Sequence, residues 1–91
     1  MKSIMQTNVN ECFFCGDTRH LNTHHVINGT GNRENSERYG LKVTLCAKHH
    51  DMVHRDQKLD LSLKKYAQKE FEKNHSREEW MQIFHKNYMV D

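Results

Sequence analysis

The stretch Leu45-Cys46-Ala47-Lys48-His49-His50-Asp51-Met52-Val53-His54-Arg55 carries two interleaved ligand spacings, and its reading decides the fold. Cys46 and His49 are separated by two residues, the pitch at which a turn puts two soft ligands on one metal. His50 and His54 are four apart, so on a helix they lie one turn above the other on a single face. The adjacent His49 and His50 then diverge by about 100° on an ideal helix. One short segment therefore serves two different metals. The rest of the chain reads as the source of each set's missing partners.

The first set is completed upstream. Cys12-Phe13-Phe14-Cys15-Gly16 spaces two thiolates by two residues, and Gly16 allows the turn that aims backbone N–H groups at sulfur. The loop between Cys12 and Cys15 is too tight to expect a structural disulfide, and three cysteines in 91 residues is an odd count, so metal ligation is their expected use. Cys12, Cys15, Cys46 and His49 together fill a zinc tetrahedron with protein atoms, which makes the expected site structural.

Composition sets the bounds. A chain of 91 residues with 35% hydrophobic content buries a modest core, so a metal staple is a reasonable supplement. A net charge of +2 with both signs mixed is too mild to argue for nucleic acid, so any such binding must rest on local Lys and Arg placement. No apolar run approaches a membrane span, and the opening Met1–Asn8 lacks the hydrophobic core of a signal peptide. The expected compartment is the reducing cytosol.

Taken in order, residues 1–10 are polar and patternless and read as a loose lead-in to a single domain over 1–91. Residues 20–27 read as a short strand ended by Asn28-Gly29-Thr30-Gly31-Asn32, with His20 left at the surface. A polar loop follows to Gly40, with a single helical turn expected over Ser36–Tyr39, and its Arg33 and Arg38 are candidate phosphate contacts. Leu41–Leu45 alternates like a half-buried strand and runs into Cys46, with a helix from Ala47 or Lys48. This knuckle–strand–loop–strand–helix core spans 11–57. From 60 to 91 a helical extension is expected: Leu61, Leu63, Tyr66, Ala67 and Phe71 form one stripe, loosened at Asn74-His75. Ser76-Arg77-Glu78-Glu79 is a capping box opening a second helix with a stripe of Trp80, Ile83, Phe84 and Tyr88.

Four histidines remain: His24, His25, His50 and His54. Three imidazoles on one ion leave coordination positions open to water or substrate, the catalytic type, and the fourth is free to act as a base near neutral pH. Phosphodiester hydrolysis suits this arrangement, with a base for the attacking water and a cation for the phosphate and leaving oxygen. Spacing does not decide which of His24 and His25 does which job. Neighbours on a regular strand face opposite ways, so both reach one site only where the strand is twisted or bulged.

These motifs together resemble an HNH endonuclease of the ββα-metal class. The resemblance covers residues 12 to 56: the Cys12/Cys15 knuckle, the strand Thr23-His24-His25-Val26-Ile27, the second strand entering Leu45–His50, and the helix closing with Val53-His54-Arg55. His49 stands where family members commonly carry a fourth zinc cysteine. The resemblance implies that His25 is the general base, His24 a metal ligand at a position often Asp, and His50 and His54 the two helical ligands. The His-x-x-x-His version is similar to the nuclease domains of DNase colicins, and the whole chain looks like short HNH-like proteins of bacteriophages and prophages. The family's Asn before the second strand is absent, so a backbone carbonyl, Tyr39, Asn32 or Asn35 would have to orient His25.

The expected architecture is thus α+β: a small zinc-stapled ββα-metal core followed by two C-terminal helices. The expected function is metal-dependent hydrolysis of DNA in a bacterial host cytoplasm, leaving a 5′ phosphate. His25 and Arg55 are the candidate catalytic residues; Arg33, Arg38, Lys48 and Arg55 (Lys58 more weakly) are candidate nucleic-acid contacts. The expected cofactors are structural zinc and one catalytic divalent ion, Mg, Mn, Ni or Zn, with all-imidazole ligation favouring Zn, Ni or Cu over Mg. Two rival readings are a zinc-bearing nucleic-acid-binding module with a vestigial histidine cluster, and an interaction subunit of a phage DNA-processing machine.

Overall fold

The computed structural model describes residues 2–29 and 31–89. Met1, Thr30, Val90 and Asp91, parts of the expected lead-in, loop and extension, lie outside the described residues. The architecture is α+β: β1 (Leu21–His25), α1 (Asn32–Tyr39), β2 (Lys42–Cys46), α2 (Ala47–Arg55), α3 (Gln57–Phe71) and α4 (Arg77–Phe84). The two strands pair antiparallel in unbroken register from Leu21 opposite Cys46 to His25 opposite Lys42. No bulge lies between His24 and His25; the pair sits instead at the last two positions of the strand.

Four elements differ from the expectation. Residues 2–10 are a strap along β2. Gln6 Oε1 accepts from Thr44 N–H (2.7 Å), Ser3 Oγ donates to Lys42 O, Thr44 Oγ1 donates to Val9 O, and Met5 is buried. The reason is the free edge of a two-stranded sheet, whose backbone groups need partners. The strap also explains why β2 is buried at all five positions and not at alternate ones.

The second difference is α1, a full helix where one turn was expected. It has no apolar stripe for a sequence pattern to detect; only Ser36 is buried, its hydroxyl donating to Ile27 O. Third, α3 starts at Gln57, because the Asp56 carboxylate caps the N–H groups of Lys58 and Leu59. Fourth, Leu61 is 41% exposed. It stands two residues from the buried Leu63, about 200° around the helix, so the two cannot share a face. Leu59 packs on the core instead.

The capping box at Ser76 and Glu79 is present, and Trp80 and Phe84 are buried against Phe71 with Ile83 and Tyr88 at the margin. The core beneath the strands holds Val26, Ile27, Leu41, Val43 and Leu45, all with no measurable exposure, together with Val53, Leu63 and Ala67. No helix among the described residues is long and apolar enough to cross a membrane.

Candidate metal centres

The turn at Cys12 is closed by Gly16 N–H donating to Cys12 O (2.9 Å), with Gly16 at φ 75°, and Phe13 N–H ties the knuckle to Thr44 O (2.8 Å). Across from it, Cys46 ends β2 in an extended conformation and is the N-cap of α2, with no side-chain capping bond. Strand pairing thus brings the knuckle and the helix start together. The ligand atoms of Cys12, Cys15, Cys46 and His49 all lie within 4.8 Å of one another.

Their separations fit a metal. Bonds of about 2.3 Å from zinc to sulfur give tetrahedral edges of about 3.8 Å. Cys15 Sγ and Cys46 Sγ are 3.8 Å apart, Cys12 Sγ and His49 Nδ1 3.6 Å, and Cys46 Sγ and His49 Nδ1 3.3 Å. Burial opposes ionisation of Cys12, but hydrogen bonds from the backbone of Cys46, Cys15 and Phe14 bring its thiol down to about 6. At neutral pH it is ready as a thiolate.

The second centre sits at the other end of the β1–α2 contact. His24, buried on β1, and His50 and His54 on one face of α2 bring ring nitrogens within 4.8 Å of one another. His50 Nε2 and His54 Nε2 are 3.2 Å apart. His24 Nε2 is buried with no hydrogen-bond partner, the sole such side-chain atom among the described residues. Burial, then the neighbouring His50 and His54, pushes the His24 imidazole down to about 4; burial and His54 lower His50 as well. Both rings are therefore neutral at pH 7, with lone pairs free to ligate. An orphaned buried nitrogen beside two close imidazoles fits a divalent cation.

This cluster borders a cleft of about 260 Å³ shared with Thr23, His25, Asn28 and Arg33. His25 is not in the three-ligand group; its Nε2 lies 2.9 Å from Glu37 Oε2 on α1. The same oxygen receives Lys42 Nζ at 2.7 Å. Those two bonds, Lys42 first, hold the Glu37 carboxyl below its ordinary range. An ionised carboxylate has no proton to give, so the hydrogen between them is on Nε2. Tyr39 packs on Phe71 and His75, and Asn32 donates to Asn28 O, so neither is turned to the task of holding His25.

The cationic candidates separate. Arg33 borders the histidine cleft. Arg38 is exposed beside a different hollow with Lys2 and Tyr39. Arg55 pairs with Asp51 (3.1 Å) and, with Lys58, lines a wider hollow of about 670 Å³ at the α2–α3 junction. That hollow is the larger of the two but gathers no convergent ligand atoms. Lys48 and His20 are exposed.

Sequence reasoning passed over the cleft residues Asn28 and Thr23 and, behind His25 on the hollow shared with Arg38, Glu37. Glu37 stands twelve positions from its partner His25, with no local pattern linking them; the available signal was register, which sets Lys42 directly opposite His25. Comparison with protein-family models, with curated proteins and with solved structures finds no match.

Proposed function

We propose that this chain is a metal-dependent endonuclease of the HNH, ββα-metal class, hydrolysing DNA phosphodiester bonds. The observation that carries the reading is the cluster of His24, His50 and His54, with the buried His24 Nε2 unpartnered, on a cleft that His25 and Arg33 also border. A divalent ion on these three nitrogens would neutralise charge on the phosphate and on the leaving 3′ oxygen.

The chain's own residues supply the rest. With its hydrogen on Nε2 and held by Glu37, His25 keeps its lone pair on Nδ1 and takes the proton of the attacking water there. Water oxygen bonds to phosphorus, the P–O3′ bond breaks, and the 3′ oxygen takes a proton from solvent. The products are a 5′ phosphate and a 3′ hydroxyl. Arg33, an exposed cation on the cleft rim, meets the phosphate and so holds the strand in register without reading its sequence. The closed Cys12, Cys15, Cys46, His49 centre has no open position for substrate, and its role is to staple the fold.

The test is plasmid nicking. Purified protein is incubated with supercoiled DNA and Mg, Mn, Ni or Zn in turn. We expect cleavage with at least one metal, reduced by about two to four orders of magnitude in His25→Ala with the fold unchanged by circular dichroism. Absence of cleavage with every metal, alongside retained duplex binding, would replace the enzyme with a zinc-bearing binding module.

A further inference from the structure

Glu37 belongs to neither ligand group, yet it holds the only bond described to the His25 ring and is bound in turn by Lys42. We propose that Glu37, anchored by Lys42, is the positioning residue for His25: it fixes the ring in the Nε2–H tautomer and so presents Nδ1 as the basic nitrogen. The base assignment rests on the hydrolase reading above; the tautomer does not.

Three independent placements converge on one oxygen. His25 and Lys42 are cross-strand partners in the sheet register, so their side chains leave the same face side by side. Glu37 reaches both from α1, which Gly31 and Gly40 open and close at positive φ and which Ser36 pins to Ile27 O. Lys42 is only 5% exposed, so its ammonium is not a free surface charge that finds Glu37 by chance. A partly buried cation with one carboxylate partner confines that carboxylate, and the confined carboxylate in turn confines the imidazole. A lone His25 would rotate and exchange tautomers; this one has a fixed donor direction. The bond is not part of the core, because the Glu37 side chain is 57% exposed and its removal leaves no cavity.

The experiment reads the His25 ring directly. Long-range ¹H–¹⁵N correlation spectra of the zinc-loaded full chain at about pH 8 distinguish Nε2–H from Nδ1–H imidazole, with His25→Gln assigning the signals. We expect Nε2–H in the wild type, a mixture of tautomers in Glu37→Ala, and largely Nε2–H in Glu37→Gln, whose amide oxygen still accepts the bond. Lys42→Met should broaden the population in the same sense as Glu37→Ala. In the nicking assay, Glu37→Ala should lower kcat by about 10–100-fold with KM little changed, and Glu37→Gln should recover part of it. A His25 spectrum that Glu37→Ala leaves unchanged, or a wild-type Nδ1–H ring, overturns the proposal. A tautomer that follows Glu37 in a protein that cleaves nothing supports it and removes the hydrolase instead.

Discussion

His24 is a side chain costly to the fold that the proposed site would put to use. It is 4% exposed, its Nε2 has no partner, and burial pushes its imidazole down to about 4 from an ordinary value of 6.5. Between those two values the unfolded chain takes up a proton that the folded one refuses, so stability present above pH 6.5 is lost as pH falls toward 4. The loss attributable to this ring is about 3 kcal/mol across that window. A bound cation has the same sign, since it also excludes the proton. Urea midpoints measured from pH 7 to 4 should therefore fall in the wild type and fall less in His24→Leu; parallel curves for the two would contradict the assignment. Spacing made His24 legible only as one of the pair His24 and His25; the fold sets its ring, and not that of His25, beside His50 and His54. Glu37 was not legible, since a charged residue in a polar run has no pattern until the strand register sets His25 opposite Lys42.

At the scale of elements, local sequence signals read well where they rest on short-range chemistry. The Ser76–Glu79 capping box is such a case, with Glu79 N–H donating to Ser76 Oγ (3.1 Å) and Ser76 N–H to Glu79 Oε1 (3.2 Å). Ser76→Ala should cost about 1 kcal/mol, a drop of roughly 4–8 °C in thermal midpoint for a domain this size. The strap over β2 is the opposite case. Its polar residues bond to a strand some 35 to 39 positions away, a partnership no window of sequence contains. Gly40 is where strap and α1 meet: it sits at φ +72°, and a Cβ there would stand 3.2 Å from both Lys2 O and Ile4 N. Gly40→Ala should lower stability by about 2 kcal/mol or more, from the left-handed backbone and the displaced strap together. A calorimetric scan showing no change would mean the strap is dispensable.

For the molecule as a whole, two devices hold a small core together. One is the edge-on and tilted aromatic cluster of Phe71, Trp80 and Phe84, with Trp80 Nε1–H donating to Lys86 O (2.7 Å). Trp80→Ala should cost about 3–5 kcal/mol. The other is the staple proposed above: a metal on the clustered Cys12, Cys15, Cys46 and His49 would join the N-terminal knuckle to the start of α2. Metal analysis should find about two ions per chain, one removed by mild chelation without unfolding and one whose removal unfolds the protein. Cys46→Ala should behave like the fully stripped protein. Equal thermal stability with and without a strong chelator would show that the core alone suffices.

The sequence by itself determined the grouping of Cys12, Cys15, Cys46 and His49, the two strands, the helix after Cys46 and the capped last helix. Each depends on spacing along the chain, and spacing fixes which side chains share a turn or a face. Only the tertiary structure decided that His24 and not His25 joins His50 and His54, that residues 2–10 strap the free edge of β2, that α1 is a helix, and that Glu37 holds His25. The strap and the Glu37–His25 bond join polar groups far apart in sequence, and α1 has no apolar stripe; polar residues carry no periodic signature of burial until their partners are in place.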